Sequence, residues 1–393
     1  MNKILRVFLW FYPVVVYISL LGSCSIYHQI PGLMTFTFIL TFLVAFLCPK
    51  TIYDKRYSEY AKIFSIGIFL YIIINIIVSD SFQVENRFLK IPFGFVFIYI
   101  FLKLKDQYKE IVFSRFLTIY TIILLLSIIE FLVIIYFHGG VLLGTVSKTT
   151  QENSVFYHYI FNIIKAGGFR FQSLCDEPGD IGTLNGLLIF LIGDIKKYQK
   201  QFIVILLGGL LSLSFAFYVL LLIFGVYTLS KLRLKFVLFA IFGGILFYSL
   251  MATEINQFII ERYTEELYDN RTGSGLEAHF DSFVNSSDIW FGKGFHAELY
   301  LRQSYGGGGG SAGFKKELYE TGVIGLFILF ITFSYPYIKL RKINYSTMLF
   351  FFVFWLSYYQ RSNIYEPDIS LAFFSAPILL NYNKLKDNYE KDK

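Results

Sequence analysis

The sequence predicts an all-α fold, a polytopic transmembrane helical bundle of about 12 membrane segments. Three observations predict it. Apolar segments return repeatedly along the 393 residues. Short Lys/Arg-rich connections interrupt them on one side and two long polar loops on the other. With 55% of residues hydrophobic, 20% aromatic and only 16% charged, the chain has too little charged surface to cover a water-soluble globule, so lipid must do the covering.

The apolar segments run from Leu5 to Leu21, Phe36 to Leu47, Ile63 to Val78, Phe88 to Leu102, Phe116 to Phe137, Phe236 to Met251, Val323 to Ile338, Thr347 to Tyr359 and Leu371 to Leu380. With their polar flanks most approach the roughly 20 residues of a spanning helix, and the shorter ones read as spans because they recur. Lys3 and Arg6 before the first segment resemble the start of a secretory signal, but no small-residue cleavage site follows and further spans do, so it reads as an uncleaved first helix. The basic residues collect in short connections: Lys50, Lys55, Arg56 and Lys62; Lys103, Lys105, Lys109 and Arg115; Lys196, Lys197 and Lys200; Lys231, Arg233 and Lys235; Lys339, Arg341 and Lys342; and the tail from Lys384 to Lys393. Such clusters anchor loops on the cytoplasmic side, and they account for the net charge of +7 without any nucleic-acid partner.

Crossing once per span from a cytoplasmic Lys3 brings every cluster to that side, provided the stretch from Phe202 to Leu229 turns back near Leu213 to Ala216, as two short helices or a re-entrant pair. Both termini are then cytoplasmic, in a single membrane domain over residues 1–393. Two outward loops remain, at 138–180 and 253–321. Short amphipathic helices are expected around Ser154 to Lys165 and Phe258 to Leu267. Five successive glycines, Gly306 to Gly310, read as a hinge beside a site or as a spacer. Cys24, Cys48 and Cys175 are scattered without metal spacing, so neither metal nor other cofactor is expected.

Chemistry should sit where the outward loops meet. The first loop ends Gly167-Gly168-Phe169-Arg170-Phe171-Gln172-Ser173-Leu174-Cys175-Asp176-Glu177-Pro178-Gly179-Asp180. Arg170 is a fixed charge whose planar fork suits phosphate, and a neighbouring carboxylate such as Glu177 can take a proton from a hydroxyl. A pairing of Arg170 with Glu177 that merely holds the loop's shape is the alternative role. In the second loop come Arg262, the turn Asn270-Arg271-Thr272-Gly273-Ser274-Gly275, His279, and Phe291-Gly292-Lys293-Gly294-Phe295-His296. Arg271 can join backbone donors around an anion, while His279 and His296 are candidate bases or ordinary surface groups. Arg361 lies in a short third loop between Tyr358 and Pro367. Arg170, Arg271 and Arg361 thus fall on one face, where they suit a lipid diphosphate or simply snorkel to lipid phosphate. Glu130, inside an apolar segment, either lines a polar cavity or pairs within the bundle, and it keeps a transport reading open. There is no GxxxxGK[ST], HExxH or GxSxG pattern.

The RFQSLCDEPGDIG, NRTGSG, IWFGKGFH and SAGFKKELYETGVIG segments, in this order and all outward, resemble the O-antigen polymerase and ligase superfamily of bacterial membrane glycosyltransferases over roughly Arg170 to Glu366. The resemblance implies metal-independent glycosyl transfer from undecaprenyl-diphosphate-linked oligosaccharides at the outer face of the cytoplasmic membrane, in O-antigen and lipopolysaccharide biosynthesis. The polymerase of that class joins repeat units; ligase and lipid-linked oligosaccharide flippase are the alternatives. It implies diphosphate-binding roles for Arg170, Arg271 and Arg361, and leaves Glu177, His279 and His296 as candidate bases. A flippase and a chain-length regulator of the same pathway are its implied partners. Ser311 and Ala312 stand where ligases carry a histidine and an asparagine, which disfavours the ligase. The implied mechanism is an inverting displacement in which the acceptor hydroxyl attacks opposite a diphosphate stabilised by the arginines.

Overall fold

Where apolar segments recur, helices form. The computed structural model describes residues 3–23, 33–78, 86–137, 139–148, 154–165, 170–175, 177–230, 274–294, 297, 313–338, 344–360 and 367–391. Among them are twelve α-helices and one small sheet. The helices are α1 (Lys3–Ser23), α2 (Leu33–Leu47), α3 (Lys55–Val78), α4 (Asn86–Lys103), α5 (Asp106–Phe137), α6 (Pro178–Ile192), α7 (Gln199–Leu211), α8 (Phe215–Ser230), α9 (Ser274–Val284), α10 (Gly313–Ile338), α11 (Tyr345–Gln360) and α12 (Pro367–Lys391). Between α5 and α6 lie β1 (Gly144–Lys148), β2 (Ser154–His158) and β3 (Ile163–Lys165), paired antiparallel in that order with Thr145 opposite Tyr157 and Tyr157 opposite Ile164. The amphipathic helix expected over Ser154 to Lys165 is therefore a pair of strands, since Val155, Phe156 and Tyr157 favour the pleated surface that β1 provides. The other expected surface helix, Phe258 to Leu267, lies outside the described residues.

Basic residues gather at one end of the bundle. Asp54 N–H donates to the Lys103 carbonyl and Lys105 N–H to that of Ile52, each at 2.9 Å, tying the start of α3 to the end of α4. Lys109, at the start of α5, lies over the Tyr57 ring at 3.5 Å, and Lys197, beyond the end of α6, reaches Glu110 at 3.5 Å. Toward the same end α1 starts, with Trp10 stacked 4.4 Å from the Arg115 guanidinium, and α12 finishes, with the Leu380 carbonyl accepting from Asn344 at 2.7 Å. The opposite end collects the end of α5, the start of α6, the α7–α8 turn and the start of α12.

Aromatic rings fill the middle. Phe64 of α3 meets Phe95 of α4 at 5.7 Å, Phe333 of α10 at 5.5 Å and Phe374 of α12 at 5.8 Å, so one knot of edge-on rings joins four helices. Helix α6 is buried from Ile181 to Ile192, as expected of a helix apolar on every face. Close approach by α8 depends on two glycines: a Cβ on Gly182 would strike Ser214, and one on Gly186 would lie 2.5 Å from Leu220.

The expectation of about 12 membrane segments is corrected here. Among the described residues three helices are long and apolar enough to cross a membrane: Tyr57–Val78 within α3, Asp106–Phe137 and Gly313–Ile338. The reason is length in most other cases. Helix α2 has 15 residues and α7 has 13, and at about 1.5 Å per residue such helices fall short of a hydrocarbon core roughly 30 Å thick. The chain is thus a compact helical bundle with a few helices long enough to span, consistent with a membrane-associated multi-pass protein. The turn expected inside Phe202 to Leu229 is present as two short helices, α7 and α8, joined at Ser212–Ser214 with Leu213 at φ 48°.

Helix α10 is broken at Gly322, whose φ of 67° is left-handed. The turn Trp290–Gly294 lies against the break and completes its backbone hydrogen bonds. Lys293 N–H donates to Tyr319 O and Gly294 N–H to Glu320 O, both at 2.8 Å, and Ile324 N–H donates to Trp290 O at 3.0 Å. Two glycines make the approach possible, because a Cβ on Gly322 would stand 2.5 Å from the Gly292 nitrogen. Gly322→Ala and Gly292→Ala are each expected to destabilise the detergent-purified protein by about 1–3 kcal/mol, read as a lower melting temperature. Gly225→Ala, where nothing lies within 4 Å of the added Cβ, is expected to leave it unchanged.

Candidate functional site

The end of the bundle opposite the lysines is assembled around Arg170–Cys175. Phe171 anchors this segment, its ring 5.3 Å from Phe131 of α5 and its N–H donating to Leu211 O at 3.3 Å. Ser173, at φ 53°, turns the chain, and its carbonyl accepts from Ile163 of β3 at 2.8 Å. The Ser173 and Ser127 hydroxyls lie 2.7 Å apart, tying the segment to α5. Arg170 is held half-buried above Phe171. Its Nη2 donates to Leu213 O at 3.1 Å and its Nε to Ser212 O at 3.4 Å. The guanidinium therefore sits at the C-terminal end of α7, where the helix dipole favours a cation.

Seven residues beyond Arg170, Glu177 is the N-cap of α6 in extended conformation, with Pro178 at the first helical position and no side-chain hydrogen bond closing the cap. Asp180 follows in the first turn. Against it, from the first turn of α12, stands Asp368, 1% exposed. Apart from the N–H groups of Asp368 itself and Ile369 at the helix start, neither of its carboxyl oxygens has a hydrogen-bond partner among the described residues. Burial pushes this carboxyl up to about 7; the two N–H groups pull it back and the nearby charge of Asp180 adds to the rise. On α6 the fully buried Asn185 accepts from the Tyr120 hydroxyl at 2.6 Å, while its Nδ2 has no partner among the described residues. Tyr120 interacts electrostatically with both Asp368 and Cys175, which places the three elements around one buried polar spot.

A second buried carboxylate lies on α10, before its break. Glu317, 2% exposed, accepts from the Tyr71 hydroxyl of α3 at 2.5 Å and interacts electrostatically with Tyr358 of α11. Among the described residues no group of three or more His, Cys, Asp and Glu side chains could hold a metal ion.

Of the expected site residues, the structure brings Arg170 and Glu177 to the same end, Arg170 at the turn between α7 and α8 and Glu177 at the cap of α6. His279 is elsewhere, half-buried on α9, whose Leu276 and Phe283 pack on Tyr319 of α10. Arg271, Arg361 and His296 lie outside the described residues, as do Asp176, Arg262, Ser311, Ala312 and Gly306 to Gly310. Asp368, Asn185 and Glu317 were not singled out from the sequence. Asp368 follows Pro367 at a helix start and reads as an ordinary first-turn acid, while Asn185 is a lone amide in an apolar run. The only available signal was that polar residues inside apolar helices need partners.

Glu130 has a structural role. Its carboxylate accepts from Ile160 N–H at 3.1 Å, Phe161 N–H at 2.8 Å and Asn162 Nδ2 at 3.0 Å, so it closes the turn between β2 and β3. It neither lines a cavity nor supports transport on this geometry.

No protein-family model matches the chain, and no curated protein matches it significantly. What stands is a helical protein with a few apolar helices long enough to span a membrane. The polymerase reading is corrected, together with its ligase and flippase alternatives and the assignment to O-antigen and lipopolysaccharide biosynthesis. It stood on about 12 spans, whereas three helices qualify in a compact bundle, and no family match carries it.

Two measurements follow from these contacts. Glu130→Leu removes acceptors for three donors and is expected to destabilise the hairpin by about 1–3 kcal/mol, seen as faster amide exchange across 154–165. Asp368 ionises near 3.8 when unfolded and about 7 when folded, so the folded state holds the proton over that interval and loses stability as pH rises through it. The melting temperature of the wild type is expected to fall between these two values, and Asp368→Asn to flatten that fall.

Proposed function

We propose that the protein is a membrane enzyme that takes a lipid-linked diphosphate as donor and transfers the group it activates to a hydroxyl, without metal or other cofactor. The site is the end of the bundle formed by Arg170–Cys175, the α7–α8 turn and the starts of α6 and α12. One observation carries this reading. A fixed guanidinium, half-buried on the Ser212 and Leu213 carbonyls, lies at the same end of the bundle as Glu177, Asp180 and Asp368, opposite the lysines. A departing diphosphate gathers charge that Arg170 can stabilise. Glu177, half-exposed at the helix cap, is the group placed to accept the proton of an attacking hydroxyl.

The lysine-rich end, toward which α1 starts and α12 finishes, suits the cytoplasmic side of a bacterial inner membrane, with both termini inside. A diphosphate on a lipid tail then meets the site from the outer leaflet. The similarity of the RFQSLCDEPGDIG and SAGFKKELYETGVIG segments to the O-antigen polymerase and ligase superfamily supports the donor class; it does not extend to the reaction of a particular member.

Farnesyl diphosphate, a short lipid diphosphate, tests the reading by titration of the detergent-purified protein. Arg170→Ala is expected to weaken its binding about tenfold or more, a charge-assisted bond being worth about 1.5–3 kcal/mol, and Arg170→Lys to recover part of the loss. A lower melting temperature with unchanged affinity would reduce Arg170 to a cap on α7 and sink the proposal.

A further inference from the structure

The buried polar spot between α5, α6 and α12 has hydrogen-bonding capacity that the fold leaves unused. Asp368 offers two acceptor oxygens and Asn185 an amide donor, both at 1% exposure or less and neither with a side-chain partner among the described residues. The Tyr120 hydroxyl is already spent on the Asn185 carbonyl oxygen. Such groups are costly to bury unless something occupies them. A second carboxyl, Asp180, interacts with Asp368 and sits in the first turn of the helix whose start borders Arg170. A carboxyl buried beside a second negative charge resists ionisation, and a proton on Asp368 is the economical occupant.

We propose that Asp368, with Asp180 and Asn185, forms a proton-binding site whose occupancy is linked to the diphosphate bound at Arg170. The linkage rests on the donor reading above. An anion brought to the start of α6 adds negative charge on the side from which Asp180 faces Asp368. That charge favours the protonated carboxyl, so anion and proton bind together, and by reciprocity a proton already present strengthens the anion's binding. No covalent step is involved: the proton enters from solvent on binding and returns to it on release.

Several titratable or charged groups face this spot. Helix α5 brings Tyr120; α1 brings Tyr17, which interacts with Tyr120; the segment before α6 brings Cys175, five residues after Arg170; and α6 brings Asp180, three residues after its cap Glu177. Helix α11 brings Tyr358, with Glu317 of α10 beside it. Helix α4, which also packs on α12, carries Tyr99 and Lys103 toward the lysine end. None of these is an imidazole. Burial holds the Asp368 carboxyl near neutrality, where small changes in neighbouring charge alter its protonation.

The test is titration of farnesyl diphosphate into wild type and Asp368→Asn at pH values on either side of about 7, in two buffers of different ionisation heat. The ligand's own titration is common to both proteins, so the difference between them isolates the protein's proton. The wild type is expected to take up a proton on binding and to bind about tenfold more tightly at the lower pH than Asp368→Asn's profile accounts for, the effect of a one-unit rise in the carboxyl's pKa on binding. Parallel pH profiles for the two proteins, with binding intact, would overturn the linkage and leave the donor reading standing. No binding by the wild type would overturn both. Should the variant fail to fold, the infrared band of a protonated carboxylic acid is followed in the wild type alone: growth of the band on adding farnesyl diphosphate at neutral pH supports the linkage, and an unchanged band overturns it.

Discussion

Helix α6 is enclosed on all sides, and the arrangement of the bundle follows from that enclosure. A helix that presents no face to solvent or lipid must bring its neighbours close and must settle its polar groups internally. Gly182 and Gly186 supply the closeness, admitting Ser214 just before α8 and Leu220 within it. Asn185 and Asp180 are the polar groups to be settled, and they meet Tyr120 and Asp368 from α5 and α12. The polar end of the molecule is therefore a product of packing. Its side chains converge because the helix that carries them has nowhere else to put them.

Arg170 shows how one side chain can answer two demands. The end of α7 leaves carbonyl oxygens without helical donors, and the sharp turn at Leu213 into α8 exposes two of them to the guanidinium. The same charge stands at the end of the bundle that carries the starts of α6 and α12. A lysine in its place would keep the charge and lose the planar fork that spans two neighbouring carbonyls.

The division of the molecule into a lysine-rich end and a polar end was legible in the sequence, because charge patterning at helix ends survives whatever the helices do in between. The reversal between α7 and α8 was legible for the same reason, since the charge of Lys231, Arg233 and Lys235 required it. The number of spans was not. Recurrence of apolar segments cannot distinguish a helix that crosses a membrane from a shorter one buried in a bundle, and α2 and α7 read alike on either account. Arg170 and Glu177 were singled out because they precede a Pro-Gly pair at a helix start. Asp368, Asn185 and Glu317 were missed because their significance arises from contacts between helices distant in sequence, and Glu130 was overread because its partners, the amides of Ile160 and Phe161, belong to a hairpin taken for a helix.

The broken helix α10 has a mechanical consequence. At Gly322 the covalent chain continues but the helical ladder does not, and the missing rungs are supplied by Trp290–Gly294 from another part of the chain. The short arm carrying Glu317 is thus splinted by a distant piece of chain, while the long arm is held by the aromatic knot at Phe333. The three backbone hydrogen bonds, with the packing of Tyr319 on Leu276 and Phe283, set how stiffly Glu317 is held against Tyr71.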